Sequence, residues 1–205
     1  MCRNAGSRDA LLAAGASSVV VADAQDGLAC AAAVATSAPG LVVSAVGTSP
    51  PEPICSDADA AGTAALVAAA AVHAAGARFV LISALGVGES LDCLPHASHD
   101  VLAPWLQRKE KAETLLQASG LEWVILRPGP LTDDPRSGSA VATLDAVSGT
   151  VLGHEQPLRR EHHPVLTWHV RKHAGKAFST LSRSDFAHIA YQARHTTSHP
   201  PSFCS

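Results

Sequence analysis

Along the first two thirds of the chain, short segments that are apolar on both faces alternate with longer ones that are alanine-rich or apolar at helical spacing. The short segments are residues 18–22 (Ser-Val-Val-Val-Ala), 41–46 (Leu-Val-Val-Ser-Ala-Val), 78–83 (Arg-Phe-Val-Leu-Ile-Ser) and 122–127 (Glu-Trp-Val-Ile-Leu-Arg). Their length and β-branched content predict buried strands. The segments 8–14, 26–36, 57–75 and 101–119 predict helices, with Asp57 as an N-cap and Gly15, Pro39-Gly40, Gly76 and Gly120 as stops. Pro128-Gly129-Pro130 closes the fourth strand.

Strands with two apolar faces need cover on both sides, and parallel strands need long crossovers, which the helices supply. The predicted fold class is therefore α/β, a doubly wound parallel sheet. Ligands of such sheets sit beyond the carboxyl ends of the strands, here Asp23, residues 45–47, 83–85 and 127–131. After residue 137 the pattern weakens. Residues 150–152 and 176–181 read as short strands and 183–194 as a helix capped by Ser182, while 195–205, with Pro200-Pro201, reads as a flexible tail. The domain reading is one unit, 1–194, carrying a histidine-rich insertion at 154–176.

Composition narrows the function classes. Of 205 residues 47% are hydrophobic and 16% charged, so a sizeable core is available, and the net charge of -3 offers no field for a nucleic acid. The cysteines at 2, 30, 55, 93 and 204 form no CxxC pair, which argues against a disulfide framework or zinc site. The longest uncharged run, 60–77, holds only Leu66, Val67 and Val72 as bulky apolar residues, too few for a membrane span. The expected location is the cytoplasm, or an organelle stroma if a targeting segment precedes the sequence.

Several segments together resemble a known family. They are Arg3-Asn4 with 11–16, 19–26, Val42-Val-Ser-Ala-Val-Gly47, Asp57 with Gly62, 79–83, Lys109 with Ala112-Glu113, 119–129 with Leu131-Thr132, and 181–187. Their order and spacing resemble the atypical short-chain dehydrogenase/reductase family, single NAD(P)-binding Rossmann domains that include flavin and biliverdin reductases. The resemblance implies that Arg3 follows the family's second strand and meets the 2′-phosphate of NADP, a match of guanidinium fork to phosphate. It places Asp23 and Ala24 at the adenine and runs Ala45, Val46 and Gly47 past the adenosine half. Ser83 and Lys109 become the catalytic candidates and also cofactor contacts, and Arg127, Pro128 and Gly129 wall the nicotinamide side. Each position has a plainer reading too: Arg3 as a solvated arginine, Asp23 as a turn cap, Ser83 as a strand-end serine, 127–129 as a strand stop.

Two departures from the family pattern matter. No GxGxxG or GxxGxxG occurs, so the first strand, glycine-rich turn and first helix that cradle the pyrophosphate have no counterpart. The expected fold is thus an N-terminally truncated Rossmann domain that binds NADP weakly. The family's catalytic Tyr, four residues before the Lys, is replaced by Trp105, whose indole N–H donates a hydrogen bond but is no acid near neutral pH. The only tyrosine, Tyr191, is followed four residues later by His195.

His154, His162, His163, His169 and His173 gather in the insertion, and His169 and His173 stand four apart, a spacing that would share one helical face. Without an acidic residue between them they read as a solvated insertion, with no metal expected. The functional expectation is an oxidoreductase that passes hydride from NADPH to a small planar acceptor without a tyrosine acid. The alternative is a non-catalytic nucleotide-sensing or remnant interaction protein. The expected partners are an unidentified small-molecule substrate and, at most, a second copy of the chain, so monomer and homodimer both stay open.

Overall fold

The computed structural model describes residues 1–47, 57–136, 140–143, 151–152, 165–170 and 181–192. In chain order they form α1 (Arg8–Ala13), α2 (Gly27–Ser37), β1 (Leu41–Ser44), α3 (Ala58–His73), β2 (Arg78–Ile82), α4 (His99–Gln117), β3 (Glu122–Pro128), β4 (Leu131–Thr132), β5 (Ala140–Thr143), β6 (Val151–Leu152), β7 (Val165–Val170), β8 (Leu181–Ser182) and α5 (Arg183–Gln192). The main sheet has the order β1-β2-β3-β7-β5-β6. Its first four strands are parallel, with Val43, Val80 and Val124 in register, and β5 and β6 add antiparallel. The strands β4 and β8 form a separate parallel pair.

Because successive strand residues point to opposite faces, β2 and β3 sort their side chains between two layers. Phe79, Leu81, Trp123 and Ile125 meet Val67 and Ala70 of α3 and Ala112 and Leu116 of α4. Val80, Val124 and Leu126 meet Phe186 and Ala190 of α5 on the other face. Phe79, Leu116 and Ile125 are fully buried, each stabilising the fold by about 1.5–3 kcal/mol. The helix α2 packs on α3 through Cys30, Val34 and Ala69, small enough for close approach.

Helix ends follow their sequence signals in most cases. Asp26 caps α2 by accepting from the Leu28 and Ala29 N–H groups at 3.0 and 3.1 Å. Ser182 caps α5, its Oγ accepting from Asp185 N–H at 3.0 Å, and Gly120 closes α4 in the left-handed region at φ 72°. Asp57 stands at the N-cap of α3 but makes no side-chain cap bond.

Two expectations change. Residues 18–22 build no ladder: Val21 makes a single parallel bridge to Cys2, through Cys2 N–H to Val20 O and Ala22 N–H to Cys2 O, both 2.9 Å. A strand needs a neighbour along its length, and here one residue supplies it. The expected four-strand sheet over 18–127 is therefore three adjoining strands and an outlying bridge. His169 lies in β7, opposite Val141 of β5, so it sits on an extended strand and not on a helical face. The remaining insertion histidines (His154, His162, His163 and His173), residues 176–180 and the tail 195–205 lie outside the described residues. Among the described residues, no helix is long and apolar enough to cross a membrane.

Candidate functional site

Among the described residues β1 pairs with β2 alone, and beyond its other edge a cleft of about 550 Å³ opens toward the Cys2–Val21 bridge. That volume lies in the range of small-molecule sites. Six expected cofactor positions line it: Arg3, Asp23, Ala24, Ala45, Val46 and Gly47. The turn after the bridge and the end of β1 thus converge, as strand ends in a parallel sheet do.

Small residues make that convergence possible. A Cβ on Gly62 of α3 would stand 2.8 Å from Val46 Cγ1 and 3.4 Å from the Ala24 Cβ, so only glycine lets α3 seat both cleft segments. Asp23 lines the cleft, and its Oδ1 accepts from Gln25 N–H at 2.9 Å in a local turn, as a turn cap does.

The other expected residues lie outside the cleft lining. Lys109 is buried on α4, and its ammonium donates to Asp59 Oδ1 at 2.8 Å and sits 5.5 Å from the centre of the Trp105 ring. This ion pair backs onto the cleft, since a Cβ on Gly47 would lie 2.6 Å from Asp59 Oδ1 and 2.8 Å from Lys109 Nζ. Ser83 follows β2, and its hydroxyl donates to Glu113 Oε1 at 2.5 Å. Pro128 ends β3, and its carbonyl accepts from Leu85 N–H at 2.9 Å; Gly129 follows it.

Arg127, expected at the nicotinamide side, binds two carboxylates that were not among the sequence candidates. Arg127 donates from Nε and Nη2 to Glu113 at 3.0 and 2.7 Å, and from Nη1 to Glu89 at 2.5 Å. Burial alone would lower the Arg127 pKa, but Glu113 and then Glu89 outweigh it and hold the guanidinium charged beyond its ordinary range. Asp59 is a third charged residue that the sequence candidates lacked. Glu113 stands four residues after Lys109, one helical turn along the same face of α4, and that spacing was the available signal. Asp59 stands three residues before Gly62 on the helix that packs against α4, but only the packing identifies its partner.

A family model described as NAD(P)H-binding matches residues 1–155. The uncharacterized sugar epimerase YhfK of Bacillus subtilis is 33% identical over 93 residues, which cover 45% of this chain and 41% of that protein. The anaerobillin reductase ChuY of Escherichia coli O157:H7 superposes with a TM-score of 0.64 at 23% identity, over 94% of this chain and 75% of that one. A candidate NAD-dependent epimerase/dehydratase of Bacillus halodurans gives 0.66 at 23% identity, over 96% and 76%. The likeness to the two structures establishes the Rossmann-like fold.

Proposed function

The chain belongs to the NAD(P)H-binding family, and from that premise we propose that it is an NADPH-dependent oxidoreductase acting on a small planar acceptor such as a flavin or quinone. The observation that carries this reading is the cleft itself, where Arg3, Asp23 and Ala24, on either side of the Cys2–Val21 bridge, converge with 45–47 at the end of β1. Ala24, Ala45 and Gly47 leave the backbone open to close approach, and the Arg3 guanidinium offers a fork that suits the 2′-phosphate. NADPH is preferred over NADH on that account.

When bound, the cofactor supplies a hydride, and this chain's residues orient and exclude. Trp105, in the position of the family's tyrosine, releases no proton near neutral pH, so the proton that completes the acceptor comes from water. Ser83 has its hydroxyl hydrogen committed to Glu113 and offers lone pairs to a neighbouring donor. Lys109 is held by Asp59, and the neutral pair fixes the strand end behind Gly47.

The test is oxidation of NADPH by the purified chain with flavin or quinone acceptors, followed by loss of the dihydronicotinamide absorbance. Acceptor-dependent turnover, faster with NADPH than NADH, is expected. No turnover with any acceptor at saturating NADPH would overturn the oxidoreductase reading.

A further inference from the structure

The charge cluster near the strand ends consists of two groups: the pair Asp59–Lys109 behind the end of β1, and Glu113, Arg127 and Glu89 beyond β2 and β3. Asp59, Lys109, Glu113 and Arg127 are buried and their charges cancel, which makes Glu89 the surplus anion. Glu89 is also the exception in exposure, its side chain 63% accessible against 4% for Arg127. Glu113 already engages Arg127 through two parallel bonds, the strong bidentate arrangement. The bond from Nη1 to Glu89 is a separate contact that reaches the buried cation from solvent.

We propose that Glu89 occupies the place of a ligand carboxylate, and that the acceptor this protein reduces is an anion read by Arg127. The inference rests on the oxidoreductase reading above and names the chemical class of its acceptor. Exchanging one carboxylate for another leaves Arg127 with the same charge-assisted bond and returns Glu89 to water, so the exchange costs little. The frame around Glu89 stays fixed while it happens. Val87 and Ser90 are buried on either side, and Ser90 Oγ accepts from Gly86 N–H at 2.9 Å and donates to Val87 O at 2.7 Å. Rotation of one exposed side chain is therefore enough. The site also lies where a doubly wound sheet takes its ligands, beyond the ends of β2 and β3.

The experiment titrates benzoate, and benzamide as its neutral isostere, into the full chain and into Glu89→Gln at constant ionic strength. The variant is expected to bind benzoate at least about tenfold more tightly than the parent, since the competing anion is gone, with benzamide affinity the same in both. Glu89→Asp, which keeps the charge, is expected to stay near the parent. Equal benzoate affinity in parent and Glu89→Gln, or benzamide tightening in parallel, would overturn the proposal. A separate NADPH titration of Glu89→Gln is expected to match the parent. Absence of NADPH binding with the benzoate effect intact would strike the oxidoreductase reading, and with it the identity of the acceptor, while leaving the anion site standing.

Discussion

Lys109 on α4 and Asp59 on α3 hold a buried ion pair, Nζ to Oδ1 at 2.8 Å, directly behind Gly47 at the end of β1. The pair ties together two helices and the strand end that lines the cleft. Breaking it by Asp59→Ala leaves an uncompensated buried ammonium, and a loss of about 3–5 kcal/mol in urea unfolding is expected. The double replacement Asp59→Leu with Lys109→Met should cost less than the single one. A single-variant loss under about 1 kcal/mol would show that the pair is solvated.

Gly47→Ala should act on the same junction from the other side. The added methyl would fall within 2.8 Å of both charged atoms, so the strand end or the pair must shift. Lower thermal stability and weaker NADPH affinity are expected together, and a variant that matches the parent in both would contradict the close approach.

Trp105→Phe is expected to leave turnover within a few fold of the parent, because the phenyl face still meets Lys109 and no proton is lost with the indole. A hundredfold loss of turnover in a folded variant would make Trp105 part of the chemistry.

The Cys30 thiol is fully buried and donates to the Ala24 carbonyl at 3.2 Å; burial, then Asp26 and Asp23, raise its pKa above the ordinary 9.0. The folded state holds this proton to higher pH than the unfolded chain does. It therefore contributes no pH dependence below about 9 and erodes stability as pH climbs beyond. Alkylation at pH 8 mapped by peptide mass analysis should modify Cys2 and Cys93, both half-buried, and spare Cys30 until the protein unfolds. Rapid labelling of Cys30 in the native protein would contradict its burial.

Much of this architecture was legible because the strands carry two apolar faces and the helices have plain stops. Residues 78–83 and 122–127 became β2 and β3 almost unchanged, and Ser182 caps α5 as its position before the helix suggests. Residues 18–22 have the same β-branched composition and yet form one bridge, because composition cannot state whether a neighbour lies alongside. The four-residue spacing of His169 and His173 would share a face only on a helix, and β7 is not one. At the site, the apolar and glycine positions of the cleft followed from the strand ends and the family resemblance. Glu113 showed only its place four residues after Lys109, and the partners Asp59 and Glu89 showed nothing, since ion pairs between residues 14, 38 and 50 apart depend on packing that no local pattern encodes.

The most direct measurement of the central claim is a calorimetric titration of NADPH and of NADH into the full chain and into Arg3→Ala. Saturable NADPH binding is expected, with NADH weaker by about tenfold or more and that difference lost in Arg3→Ala. Absence of saturable binding for either cofactor, or equal affinities in the parent chain, would contradict the claim.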